Sequence, residues 1–444
     1  MTRQEPFVPE ATSAASQPPA RKRLLADTRP LRESPEYRRL VIAGALSGVG
    51  SQMTAVAVPI QVYALTHSSL AVGLLGLAVA VPLITLGLLG GSFADAVDRR
   101  RLVLVTSSLL AMVSLVFAAQ ALLDLRQLWL LCVLTACRSG LFAIDQPARR
   151  AFIPRLLPPD LFPAAAALSF LSFQVSLIVA PLLAGVIIAA AGLQTAYLVD
   201  AVTFIFAIYG VLRLRPMPPQ PGVRGERARG GAPAGLAAVA EGLRFVRHQP
   251  VLATVLLVDL NGTIFGMPFA LFPALAATHF GGGAKTVGLL YAAPAIGGLL
   301  LGALSGPLSH IRRQGLAVLL AIGVWGMAIA GFGLTGWLWL AVPLLAVAGA
   351  ADVVNGVFRS TILQVNTPDA LQGRVSSVGY VVGAGGPSLG DVEAGVVAAA
   401  TSPVISAVSG GLACLVGVVV LGLAVPALAR YDARKPRDAS TGID

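Results

Sequence analysis

GSFADAVDRRRLV, from Gly91 to Val103, is a polar, basic interruption between two long apolar runs, and what flanks it decides the fold. The flanking runs, about 70 to 92 and 102 to 123, have the length that a helix rising 1.5 Å per residue needs to cross about 30 Å of hydrocarbon. Working outward, similar runs recur at about 40 to 64, 127 to 146, 163 to 190, 193 to 212, 250 to 278, 286 to 307, 315 to 335, 338 to 359, 375 to 399 and 402 to 427. That makes twelve. With 56% hydrophobic and 12% charged residues in 444, the chain carries more apolar surface than a water-soluble fold can bury. Soluble enzymes, disordered regulators, disulfide-stapled domains and single-anchor proteins are excluded. Pro82, Pro181, Pro268, Pro273, Pro294 and Pro387 lie inside the runs, which membrane helices tolerate. The expectation is an all-α membrane protein.

The placement of basic residues supports the count. Of 32 Lys and Arg, 29 fall on the side that holds both tails, Arg126 and Lys285 fall on the other, and Arg138 lies within a span. The positive-inside bias then puts both termini in the cytosol, with the chain as a multi-pass protein of a bacterial cytoplasmic membrane. The net charge of +11 is spread over short loops and forms no patch, so nucleic acid is not an expected partner. Cys132, Cys137 and Cys414 sit in apolar segments as small core residues, and the four histidines stand too far apart for a metal site.

Residues 1–38 read as a disordered cytosolic tail, 39–213 as six helices, 214–249 as a cytosolic linker, 250–428 as six more helices, and 429–444 as a second tail. The linker is rich in Pro, Gly and Arg. Its last part, Leu236 to His248, has the pattern of an amphipathic helix on the inner membrane surface. The halves resemble each other. A shift of 210 residues puts Arg359 on Arg149, Pro368 on Pro158, Leu371 on Leu161 and Asn355 on Asp145, and GPLSHIRRQGLAV from Gly306 echoes the opening stretch 215 residues earlier. Six plus six spans in parallel repeat is the consequence.

Gly91, Ala94, Asp95, Arg99 and Arg100 resemble the signature loop G-x-x-A-D-x-x-x-R-[RK] of the major facilitator superfamily. Physically, Gly91 allows close helix approach, Asp95 suits a helix N-terminus, and the arginines suit anionic lipid or a carboxylate. VAVPIQVYALTHSSLAVGL from Val56, RFVRHQPVL from Arg244 and VFRSTILQVNTPDALQGRV from Val357 are similar to the enterobactin-exporter-like branch, over roughly residues 36 to 428. The resemblance implies the major facilitator fold and outward transport of a siderophore or amphipathic drug-like molecule, driven by proton entry without a cofactor. Import of a small metabolite by proton coupling is the alternative. The chain departs from the wider pattern at Asp98, where many members have Gly, at Ala96, where Arg is common, and at APLLAG (Ala180 to Gly185), where antiporters commonly show Gly-Pro.

Charges in hydrocarbon are costly, so polar residues in mid-span mark the bundle interior. Arg138 and Asp259, about ten or eleven residues into the fourth and seventh spans, fall near the midplane and form the expected proton-coupling pair between the halves, with Asp352 as a further acid. Asp200, Asp391 and Glu393 read as structural partners or caps. Expected substrate-lining residues are Gln52, Thr54, Gln174, Asn261, Phe265 and Tyr291; expected gating residues are the signature-loop set with Asp145, Arg149 and Arg359. A nucleotide pump is excluded because GGGAKT, from Gly281, lacks the Gly before Lys285. An enzyme is not expected, since no H-E-x-x-H or reachable Cys and His pair exists. The expected partners are a small-molecule substrate and the bilayer, with the protein monomeric.

Overall fold

The computed structural model describes residues 27–215, 236–304 and 306–432, without the side chains of 89–96, 307 and 309. All regular structure among them is helical. The first half contains α1 (Pro35–Thr66), α2 (Ser69–Ala96), α3 (Arg99–Leu122), α4 (Leu128–Arg150), α5 (Phe162–Ala191) and α6 (Leu193–Leu212). A short helix, α7 (Leu236–Arg247), leads to the second half: α8 (Pro250–Phe265), α9 (Phe272–Thr278), α10 (Ala284–Ala303), α11 (Gln314–Leu334), α12 (Leu338–Asn366), α13 (Asp369–Ala400) and α14 (Pro403–Ala424).

Local chemistry sets the starts. Ser34, Ser68, Asp98 and Ser402 accept from the backbone amides of Tyr37, Ala71, Arg101 and Ile405, with Pro35 and Pro403 at first helical positions. Left-handed His67 (φ 48°) and Gly192 (φ 82°) turn the chain between antiparallel neighbours.

Among the described residues, eleven segments are long and apolar enough to cross a membrane, with α8 and α9 together making one. The remaining segment of the sequence count, α13, has 32 residues and ample length, but Asp391, Glu393 and its many Gly and Ser lower its apolarity. The exact count of twelve therefore rests on α13. Its packing accounts for the polarity, because α13 lies against α2 and α8.

The same pairing occurs in both halves: α2 with α4 and α3 with α6 in the first, α10 with α12 and α11 with α14 in the second. Helices α4 and α12 begin 210 residues apart, and α3 and α11 begin 215 apart, as the repeat requires. Trp129 and Trp339, 63% and 82% exposed, occupy matching first turns, where an aromatic anchor suits a membrane interface. The two tryptophans stand 210 residues apart, at the spacing of the repeat.

The halves meet along α2 with α13 and α5 with α10. Toward the end away from the arginine-rich loops, contact is backbone to backbone: a Cβ on Gly185 would lie 2.7 Å from the Ala284 carbonyl, and one on Gly395 would lie 2.8 Å from that of Ser69. Toward the basic end a side chain intervenes, the Tyr380 hydroxyl donating to the Leu83 carbonyl at 3.1 Å. The outer surface keeps large apolar groups such as Val419, Leu423, Phe206 and Met327 exposed, as lipid contact demands.

Helix α7 departs in part from the expected surface helix. Val246 is buried, Gly242 lets α7 reach the backbone of Arg374 on α13, and Glu241 forms an ion pair with the Arg374 guanidinium. Leu236 and Leu243 remain exposed. The helix thus docks on the second half with one face and leaves an apolar edge outward.

Candidate functional site

The seventh span of the sequence reading is two helices. Gly266, Met267 and Pro268 break it between α8 and α9, since Pro lacks an amide donor and disfavours helix at the residue before it. Backbone groups freed by the break find side chains. Trp325 Nε1 donates to the Gly266 carbonyl at 2.6 Å, the Tyr291 hydroxyl donates to the Phe269 carbonyl at 3.1 Å, and the Ala270 amide donates to Asp391 Oδ1 at 2.9 Å. Asp391 is therefore a cap, as read from sequence.

Beside this break lies a cavity of about 400 Å³ between the halves. Gln52, Gln174 and Pro181 border it from the first half; the 266–268 break, Phe269, Phe272, Tyr291, Trp325 and Asp352 border it from the second. Its size is within the roughly 300–1,000 Å³ of small-molecule pockets. Asp352 is the sole charged residue among those bordering it, and among the described residues it makes no hydrogen bond or ion pair.

Three of the six expected lining residues, Gln52, Gln174 and Tyr291, border the cavity. The other three do not. Thr54 is fully buried and donates to Asp200 Oδ2 at 2.7 Å; Asn261 donates to the Cys414 carbonyl at 2.8 Å, facing α14; Phe265 packs into the core beside α14. Each points away from the interhalf side of its helix, an orientation that depth counting does not resolve. The aromatic residues Phe269, Phe272 and Trp325 were missed, because an aromatic in an apolar run gives no sign of its direction.

The expected Asp259 and Arg138 pair is absent, and each residue has partners in its own half. Asp259, 2% exposed, accepts from Asn355 Nδ2 at 2.7 Å through Oδ1 and forms an ion pair with Arg359 through Oδ2. Arg138 donates to the Ser51 carbonyl. It also faces the field of Asp200, beyond ion-pair distance. Asp200 is fully buried and accepts from Thr54 and from Ser114 at 2.8 Å, while its Oδ1 and Arg138 Nε have no partner. Nearby, Gln61 and Gln120 exchange amide hydrogen bonds at 3.0 Å and Tyr197 donates to Gln61 at 2.7 Å. The first half thus holds a polar interior joining α1, α3, α4 and α6.

The gating residues also pair within halves. Arg149 forms an ion pair with Asp145 and donates to Ser107 at 2.7 Å, while Thr106 donates to Asp145 at 2.5 Å. Arg359 takes its carboxylate from α8, because Asn355 stands where the first half has Asp145. In this structure neither arginine bridges the halves. Arg99 opens α3, and Arg100 donates to the Val211 and Leu212 carbonyls at 3.3 and 2.8 Å, capping α6. Gly91 and Asp95 both fall in α2, and the Asp95 side chain and the packing around Gly91 lie outside what is described. The cap at the start of α3 is Asp98, whose Oδ1 accepts from Arg101 N at 3.0 Å, so the departure from the signature supplies a helix N-cap.

Across known proteins, residues 26–440 match the family of transmembrane secretion effectors. The enterobactin exporter EntS of Escherichia coli O6:K15:H31 is 28% identical over 413 residues, covering 93% of this chain and 97% of that one. The EntS of Shigella boydii serotype 18 is 28% identical over 408 residues, 92% and 96% of the two chains. In shape, the chain is similar to a mutant of the nucleoside transporter NupG (TM-score 0.71, 14% identity, 88% and 99% covered). It is also similar to an inward-facing bacterial homologue of the iron transporter ferroportin (TM-score 0.66, 15% identity, 89% and 99%). These two likenesses concern the fold.

Proposed function

Because this chain belongs to the transmembrane secretion effector family, within the major facilitator superfamily, we propose that it is a proton-driven exporter of a siderophore or amphipathic drug-like molecule. It is a multi-pass membrane transporter; export, proton coupling and alternating access are our reading. The observation that carries the reading is the cavity, bordered by both halves and containing a single unpartnered carboxylate, Asp352. The named function of the enterobactin exporters supports the outward direction.

An antiporter needs a group that holds either a proton or the substrate, but not both. Asp259 is poorly suited, since Arg359 and Asn355 already occupy its oxygens. Asp352, seven residues before Arg359 on α12 and facing the cavity, is accessible to both ligands. Proton release from Asp352 toward the cytosol would free it for substrate; protonation from the far side would release the substrate there. The cycle requires the backbone contacts of α5 with α10 and of α2 with α13 to part at the far end while the basic end closes. In this reading the arginine-rich end is cytosolic, the membrane is the bacterial cytoplasmic one and one chain suffices.

The test is transport in inverted and right-side-out vesicles with an imposed proton gradient, following a fluorescent amphipathic dye and a labelled siderophore. Wild type should move at least one probe toward the extracytosolic side, and Asp352→Asn should abolish gradient-driven movement. Inward movement would make the protein an importer, and unchanged coupling in the variant would remove Asp352 from the proton path.

A further inference from the structure

We infer that the cavity selects amphipathic monocations and rejects anions, an inference resting on the transport reading above and narrowing its substrate. The ligand class follows from a local charge count. Three ionisable groups cluster on α8 and α12: Asp259, Asp352 and Arg359. Arg359 is committed to Asp259, so that pair is neutral as a unit. Asp352 is left with no counter-charge in contact.

The remaining borders of the cavity supply no cation. Arg138 is committed to the Ser51 carbonyl and is not among the bordering residues. Gln52 and Gln174 offer amides, and the polar atoms of Tyr291 and Trp325 are spent on the carbonyls of the α8–α9 break. An anion entering would meet a carboxylate and have no positive group to replace its hydration. A cation would meet that carboxylate together with aromatic faces. Phe269 stacks on Tyr291 at 5.7 Å, and Phe272 meets Tyr291 edge-on at 5.1 Å, so these rings form a fixed wall. Such rings attract a desolvated cation through their quadrupoles and accept apolar substituents through their area. A carboxylate near an aromatic wall in an otherwise apolar chamber therefore recognises a lipophilic ammonium or phosphonium, and disfavours a polyanionic chelate.

The probe pair is tetraphenylphosphonium and tetraphenylborate, which share shape and differ in the sign of the charge. Equilibrium binding of each labelled ion is measured to purified full-length protein in detergent, with empty micelles subtracted. Wild type and Asp352→Glu should hold the phosphonium at least about tenfold more tightly than the borate, and Asp352→Asn should lose that preference. Equal or tighter borate binding, a phosphonium preference that survives Asp352→Asn, or no binding of either ion by wild type would overturn the inference. The vesicle assay separates this failure from failure of the transport reading. Gradient-driven flux of a dye or siderophore without cation preference leaves export standing and removes the substrate class, whereas absent flux of every probe counts against export itself.

Discussion

Asp259 and Asp145 do the same job from different helices. In the first half the carboxylate that holds the arginine is four residues earlier on the same helix; in the second half that place is Asn355, and α8 supplies the acid. Asp259→Asn removes the charge opposite a part-buried guanidinium and should lower stability by about 3 kcal/mol, read by thermal unfolding in detergent. Adding Asn355→Asp recreates the first-half arrangement and should recover most of that loss, a double-mutant cycle with strong coupling. Independent, additive effects would show that Arg359 does not depend on the nearest carboxylate.

At the scale of one element, the break between α8 and α9 is stabilised by side chains from three other helices. Trp325 on α11, Tyr291 on α10 and Asp391 on α13 each satisfy one backbone group that the interrupted helix leaves open. Unpaired backbone groups in hydrocarbon are costly, and this explains an acid on α13 at that depth. Asp391→Ala leaves the Ala270 amide without an acceptor and should destabilise the protein by about 1–3 kcal/mol, whereas Asp391→Asn keeps an acceptor oxygen and should lose less. Thermal unfolding of the two variants side by side checks the order. The apolar edge of α7 and its ion pair with Arg374 mark a second element whose position the linker composition did not reveal.

For the molecule as a whole, the backbone-to-backbone contacts between halves lie at the end away from the basic loops, where Gly73, Gly185, Gly288 and Gly395 admit neighbouring backbones. Gly185→Leu cannot be accommodated without parting α5 from α10. It should raise the labelling of cysteines placed at that end by a membrane-impermeant maleimide, with unchanged labelling arguing that the closure lies elsewhere. Orientation is tested separately, with Cys132, Cys137 and Cys414 replaced by Ala. In intact cells Asp124→Cys should label and Glu36→Cys should not, and the reverse pattern would invert the topology.

The sequence by itself determined the helical class, the rough positions of the apolar segments, the 210-residue repeat and the family resemblance, because hydrocarbon imposes length and polarity rules that act residue by residue along the chain. It also exposed Gln52, Gln174, Tyr291 and Asp352 as polar groups within or at the ends of spans. It could not assign partners. Asp259 and Arg138 lie at similar depths, yet rotation about each helix axis turns one toward Arg359 and the other toward Ser51 and Asp200. Depth follows from a count of residues, but which carboxylate faces the cavity follows from helix rotation and from the Gly266 to Pro268 break, and only packing between helices fixes those.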